Sequence, residues 1–294
     1  CDKRSYRKRR NRSVRCVRCC RRSGMTEASG IVTLTTDFGD SDPFVAIMKG
    51  VMLSIRPDLN IIDVTHSITP YDIMRAAHCV SRFRNYFPKG TVHVVVVDPG
   101  VGSNREGVII KSGRYFYVGP NNGVFSMLDS DIERAVRIEN PEYFGGSVSA
   151  TFHGRDIFAP VAAHLTRTDM GNFGPDIGKL ERISIPKPVL KDGAVSGCVI
   201  GFDRFGNALT NITVEMINEL KEKKSGGAVE VRTSGHVMNS LRDYYQTGRA
   251  ESLSAIINSF DFLELFVANG SAQKQMGVKR GDSVSVKVVL GVTS

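Results

Sequence analysis

Three short segments carry side chains suited to proton transfer and to holding a charged or hydroxylated ligand. They are Asp98-Pro99-Gly100-Val101-Gly102-Ser103-Asn104-Arg105, Thr35-Thr36-Asp37-Phe38-Gly39-Asp40 and Thr151-Phe152-His153-Gly154-Arg155-Asp156. A carboxylate only accepts hydrogen bonds, a guanidinium only donates them and stays charged, and an imidazole is the side chain whose ordinary pKa lies near neutrality. His153 therefore suits proton transfer, Arg105 supplies permanent positive charge without a metal, and Asp37 suits a ribose diol. Each has a plainer reading: Asp98 caps its own turn, Asp37 caps a turn or the next helix, and His153 is structural. Asp37, Asp98, His153 and Asp156 also offer cation ligands, at spacings that diagnose no particular metal. Asp37-Phe38-Gly39 matches a kinase triplet, but neither a His-Arg-Asp loop nor a preceding glycine loop accompanies it. A fourth segment, Asp203-Arg204-Phe205-Gly206-Asn207-Ala208-Leu209-Thr210-Asn211, combines an acid, an aromatic plate and two amides, or is simply a hairpin with Gly206-Asn207 at its tip.

The elements that must position these groups alternate between strand-like and helix-like patterns from Ile31 onward. Val94 to Val97 cannot alternate between core and water, so the run reads as a strand covered on both faces, as in parallel sheets, with Asp98 at its carboxyl end where ligands of such sheets lie. Strands are expected over Ile31–Thr35, Asn60–Val64, Thr91–Val97, Gly107–Lys111 and Tyr115–Val118, the last closed by Gly119-Pro120-Asn121-Asn122-Gly123. Helices are expected over Pro43–Ile55, Asp72–Phe87 and Asp156–Leu165. Two prolines in Ile183-Ser184-Ile185-Pro186-Lys187-Pro188 force an extended connection. The expected organisation is an α/β domain with a largely parallel central sheet over 30–185 and a smaller β-rich, barrel-like domain over 190–294. The second domain should hold strands Ala194–Phe202, Val229–Thr233, Phe262–Ala268 and Ser283–Val289 and one helix, Val214–Lys221.

The formal charge of +9 over 294 residues suggests a nucleic-acid binder until it is divided along the chain. Residues 1–24 hold 11 of the 39 Lys and Arg but one of the 30 acidic residues, so the remainder is nearly neutral. That basic stretch buries too little apolar surface to fold and is expected to be a disordered tail. It reads as an arginine arm for nucleic acid, a transit peptide, or an upstream extension with translation starting at Met25. Four of the six cysteines lie in it, and Cys16-x-x-Cys19 lacks a second ligand pair for zinc. Cys79 and Cys198 alone imply a reducing compartment, hence a cytoplasmic protein, or an organellar one if the tail directs import. No apolar run approaches the roughly 20 residues that span a bilayer.

Taken together and in order, Thr35–Gly39, Val97–Gly102, Gly119–Gly123, Thr151–Asp156 and Asp203–Asn207 resemble the S-adenosyl-L-methionine hydroxide adenosyltransferases, relatives of the bacterial fluorinase and chlorinase. The resemblance runs from about Ile31 to the C-terminus. It implies hydrolysis of S-adenosyl-L-methionine (SAM) to adenosine and L-methionine, with SAM as substrate, no added cofactor and no metal. It implies that Asp98, Arg105 and His153 activate water, Phe152 and Phe205 line the site, Asp37 holds the ribose hydroxyls, Asp203 the methionine ammonium, Asn207 the adenine edge and Ser259 the methionine carboxylate. It also implies a homotrimer with each site between the N-terminal domain of one subunit and the C-terminal domain of the next. In the halogenating relatives a Tyr and a Ser stand at positions 153 and 154 and a long insertion follows the first half. This chain has His153-Gly154 and no such insertion, so hydroxide is the expected nucleophile. It departs from the pattern at Asp261, where the family shows Gly. Three alternatives remain: halide transfer, a non-catalytic module sensing an adenosyl ligand with its basic arm on nucleic acid, and a metal-dependent phosphohydrolase.

Overall fold

The computed structural model of the protein describes residues 28–224, 227–248 and 250–289, the side chains of 129–131 excepted. The basic segment 1–24, and Met25 with it, lies outside the described residues. The N-terminal half builds β1 (Ile31–Thr36), α1 (Phe44–Ile55), β2 (Asn60–Thr65), α2 (Ile73–Phe83), β3 (Val92–Val96), β4 (Gly107–Ser112), β5 (Tyr115–Pro120), β6 (Ile132–Arg137) and α3 (Ala159–Leu165). The sheet order is β2-β1-β3-β5-β4-β6. β2, β1, β3 and β5 run parallel, and only β4 opposes its neighbours.

Alternation along the valine run explains the layering. Val92, Val94 and Val96 pack with Met48 and Met52 of α1 and with Val161 and Leu165 of α3, while Val95 and Val97 pack on the other face with Ala76 and Val80 of α2. The strand is thus buried on both faces, as its composition demanded. α2 is shorter than the expected Asp72–Phe87: Asp72 caps it by accepting from the Arg75 amide at 2.9 Å, and it ends at Phe83, followed by a 3-10 turn over Arg84–Tyr86. Phe87 precedes Pro88 and is extended, which a proline imposes on the residue before it.

The C-terminal half forms a nearly closed, barrel-like sheet of nine strands: β7 (Val189–Lys191), β8 (Ala194–Phe202), β9 (Ala208–Thr213), β10 (Ala228–Thr233), β11 (His236–Met238), β12 (Leu241–Arg242), β13 (Ser254–Ile257), β14 (Phe262–Phe266) and β15 (Ser283–Val289), with α4 (Val214–Lys223) and α5 (Ala272–Gln275). The long β8 belongs to both halves of this sheet, pairing with β15 over its first residues and with β9 over its last. β14 stops at Phe266 rather than Ala268, because Asn269 takes a φ of 55° and turns the chain. The expected α/β domain and β-rich barrel are both present. β6, β7, β9, β11, β12 and β13 were not expected from the sequence.

His93 interrupts the apolar run on the α2 face, ringed by Phe83, Phe87, Tyr115 and Tyr117 with centroids 5.2–5.5 Å away, and its Nδ1 is 2.8 Å from the Thr33 hydroxyl. Burial pushes its pKa down to about 3, and that of the buried His78 to about 4. Below pH 6.5 the unfolded chain takes up protons that these folded rings refuse, so stability is full above that pH and is lost as pH falls toward 4. His93→Gln, which keeps a partner for Thr33, should recover roughly 2 kcal/mol of the wild-type loss between pH 7 and 4.5, measured by urea unfolding at both pH values.

Candidate active site

Because β1 and β3 are parallel neighbours with Thr36 opposite Val96, the residues that follow them, Asp37 and Asp98, emerge at the same edge of the sheet. β5 ends beside them. The Asn122 side chain donates to the Val97 carbonyl at 2.9 Å, which gives the Gly-Pro-Asn-Asn-Gly segment the job of fixing the end of the valine strand. His153 arrives from the far side, at the start of a single π-helical turn, Gly154–Phe158, that leads into α3. Asp37, Asp98 and His153, together with Phe38, Phe44, Pro70, Tyr71, Val101 and Phe152, line a cleft of about 340 Å³.

Arg105 joins the two sides. Its Nε donates to both Asp98 oxygens at 2.9 Å, one terminal nitrogen lies 2.5 Å from Asp98 Oδ2, and the same nitrogen is 2.7 Å from His153 Nδ1. The guanidinium also sits over the Phe158 ring, 5.2 Å from its centroid. Since arginine has no acceptor, His153 Nδ1 must accept, and the proton of the neutral ring resides on Nε2. Burial and the neighbouring Arg105 charge hold the His153 pKa below its ordinary value, against the opposing pull of Asp98 and Asp156, so the ring is neutral at pH 7.

The loops that carry this trio interlock. Gly102 has a φ of +77°, and a Cβ there would stand 2.1 Å from the Ala150 carbonyl oxygen. Only glycine permits that approach of the Asp98–Arg105 loop to the His153 loop. One wall of the cleft is aromatic, with Phe38, Phe44 and Phe152 edge to face at 5.2–5.9 Å. Asp37 accepts from the Tyr71 amide at 2.9 Å, and Tyr71 takes a φ of 67° to present it. The plainer reading of Asp37 as a helix cap does not hold, because α1 follows Pro43 without a side-chain cap. Gly154 leaves no vacancy for a small ligand: a Cβ there would meet Met48 Sδ and the Phe152 ring at 3.2 Å. Asp156 is not turned toward Asp37 and Asp98 as a shared cation site; its carboxylate is engaged by Arg155 and Ser149. Among the described residues no group of three or more His, Cys, Asp or Glu is placed to hold a metal.

The C-terminal candidates do not line this cleft within one chain. Asp203 organises the β8–β9 hairpin turn, accepting from the Phe205 and Asn207 amides at 2.9 Å and from the Asn207 side chain at 3.0 Å, so the plainer hairpin reading of this segment is correct as structure. It leaves Phe205 75% exposed at the tip. Ser259 lies in the β13–β14 turn beside a separate groove containing Arg82 and Lys187. Asp261 in that turn has a φ of 63°, the left-handed conformation that favours glycine, which accounts for the Gly expected there. Sequence reasoning missed Gly102, Asn122 and Tyr71; the glycine and the amide stood inside recognised segments, but their partners are remote in sequence.

Proton NMR titration of the His153 ring should give a midpoint below 6.5, rising toward that value in Arg105→Gln, which removes the neighbouring cation, and falling further in Asp98→Asn, which removes a carboxylate that favours the charged ring.

Comparison with known proteins agrees with this geometry. Residues 32–174 match the family model of the SAM hydroxide adenosyltransferase N-terminal domain, and residues 197–285 match that of its C-terminal domain. A protein of Salinispora arenicola named (R)-S-adenosyl-L-methionine hydrolase is 33% identical over 267 residues, covering 87% of this chain and 97% of its own. One of the same name from Thermus thermophilus is 35% identical over 260 residues, covering 85% and 96%. Proteins named fluorinase match at 26–29% identity. The crystal structure of an uncharacterized conserved protein from Thermotoga maritima superposes with a TM-score of 0.80 at 34% identity, covering 87% of this chain and 99% of that one. The chain belongs to the SAM hydroxide adenosyltransferase family.

Proposed function

We propose that this protein hydrolyses SAM to adenosine and L-methionine by attack of hydroxide on the 5′ carbon, with Asp98, Arg105 and His153 as the water-activating trio. The observation that carries the reading is the Arg105 guanidinium shared between Asp98 and the neutral His153, both of which line a cleft with an aromatic wall. Hydroxide and a sulfonium lose charge as they meet, so a dry site favours their reaction over bulk water. The obstacle is making hydroxide, since free water has a pKa of about 15.7. His153 accepts the proton of water at Nδ1, because Nε2 already carries one. The single Nδ1 lone pair is vacated first, as the Arg105 N–H turns from the ring to the water oxygen, where it then holds the new hydroxide. Hydroxide forms the C5′–O bond while the C5′–S bond breaks and its electron pair returns to sulfur, giving the neutral thioether of methionine. The imidazolium then returns its proton to solvent.

Asp37, with one oxygen on the Tyr71 amide and the other available, holds the ribose hydroxyls, and Phe152 forms part of the wall. In a homotrimer the cleft is completed by Asp203, Phe205, Asn207 and Ser259 of the neighbouring copy; their absence from the single-chain cleft and the exposure of Phe205 support this arrangement. The names of the similar hydrolases specify the (R) sulfonium epimer, and we take that epimer as the preferred substrate. Free Cys79 and Cys198 fit a cytoplasmic setting, and no helix among the described residues is long and apolar enough to cross a membrane.

The test is incubation with each SAM epimer in halide-free buffer made with ¹⁸O-water, after treatment with a chelator. Label should enter the adenosine 5′ hydroxyl, faster from the (R) epimer, and turnover should fall at least about 100-fold in His153→Ala and Arg105→Ala. Native mass spectrometry should give three chains. Ligand binding without adenosine would overturn hydrolysis in favour of sensing, and a 5′-halo product on adding chloride or fluoride would favour halide transfer.

A further inference from the structure

His153 pairs with Arg105, and the third residue after it, Asp156, is 2% exposed in the π turn that His153 caps. Asp156 Oδ2 accepts from both the backbone amide and the hydroxyl of Ser149 at 2.8 Å. The Ser149 hydroxyl in turn accepts from the Phe152 amide at 3.1 Å, so the carboxylate closes the loop 149–152 onto the start of the helix. Arg155 secures the carboxylate, its Nε 2.5 Å from Oδ1 and a terminal nitrogen 3.1 Å from Oδ2, and lays its guanidinium over Phe152, 5.2 Å from the ring centroid. The loop so closed runs directly into His153, which caps the π turn and pairs with Arg105.

We infer that Asp156 is a positioning residue of the active site: through Ser149 it fixes the loop that delivers His153 to Arg105, and it sets Phe152 against the cleft. The inference rests on the proposed function for its consequence in turnover, but not for its consequence in the ring itself. A buried carboxylate that satisfies one loop with its amide and hydroxyl together has an ordinary structural use. Two further features go beyond it: the loop it closes ends on the imidazole of the site, and its charge acts on that group. Opposing influences meet at the ring. Burial and Arg105 oppose its protonation, and Asp98 and Asp156 favour it. Neutralising Asp156 therefore loosens the ring and lowers its proton affinity at once, whereas loss of a purely structural contact changes the amount of folded protein and leaves the titration alone.

The experiment compares wild type with Asp156→Asn, Ser149→Ala and Ser149→Thr, each first checked for thermal midpoint and assembly. Asp156→Asn retains acceptor and donor atoms in the same volume, and Ser149→Thr restores the hydroxyl that Ser149→Ala removes. Expected are a fall in kcat of about 10- to 100-fold in Asp156→Asn with KM changed far less, a smaller fall in Ser149→Ala, and recovery in Ser149→Thr. The acid limb of the kcat profile in Asp156→Asn should move to lower pH, because the ring has lost a carboxylate that favours its charge. The His153 ring is titrated by NMR in the same variants, with His153→Gln assigning its signal. A folded Asp156→Asn protein with wild-type kcat and an unshifted His153 midpoint would overturn the inference. If wild type makes no adenosine while the His153 midpoint still falls in Asp156→Asn, the proposed function fails and the positioning role stands.

Discussion

The Arg105 guanidinium serves two neighbours with opposite requirements. Asp98 offers a negative charge, and His153 offers a lone pair for as long as it stays neutral. The side chains of Arg105 and Asp98 are only 11% and 5% exposed, so neither charge is well served by water. Breaking such a pair by removing one partner costs about 3–5 kcal/mol, because the other charge is left stranded. That constraint propagates outward. A loop that must deliver Arg105 to Asp98 seven residues back has to turn tightly, and it does so through Gly100 and Gly102. The second loop must come close enough to offer His153, and the missing side chain at Gly102 is what admits it.

The sheet supplies the rest of the geometry through a simple property of parallel strands: neighbours end at the same edge. β1 and β3 adjoin, so two carboxylates separated by some sixty residues in sequence reach one cleft. The helices on both faces keep the edge rigid, since Val92 to Val97 have core on either side. The C-terminal sheet takes no part in lining this cleft from its own chain. Its contact with the N-terminal half runs instead through α2, where Arg280 reaches Asp72 at 2.6 Å and Arg82 stacks between Phe260 and Phe262.

Much of this was legible in the residues. The valine run announced a two-faced strand, Asp37 and Asp98 stood at strand ends, and the Pro-Gly turn after Asp98 marked where the chain reverses. The meeting of Arg105 with His153 was implied by the resemblance and not by spacing. What escaped was of two kinds. Strands whose side chains are mixed, such as Ala208–Thr213 with its buried Thr210 and Asn211, show no clean alternation because their polar groups are satisfied by partners far along the chain, Leu263 and Pro186 among them. Contacts between loops, Gly102 with Ala150 and Asp37 with Tyr71, leave no local pattern, since each depends on where a distant backbone happens to pass. The helix expected over Asp156–Leu165 was right in its second half, but nothing in Gly154-Arg155-Asp156-Ile157-Phe158 signals that the first turn is wound more loosely.

That loose turn sets a phase. An α-helix advances about 100° per residue, and the buried face of α3, with Val161, Ala162 and Leu165 in the core, fixes its rotation about its own axis. The π turn inserts one more residue into the winding than an α-helical turn would hold, so the angular position of His153 relative to that face is set by a residue count. Gly154, Asp156 and Phe158 of that turn are themselves buried, so a single-residue deletion there would disturb the packing of the turn as well as the presentation of His153 to Arg105. For a lineage carrying this fold, the identity of the group facing the cleft is therefore open to change by insertion and deletion as well as by substitution, and the helix serves as the index that keeps it in place.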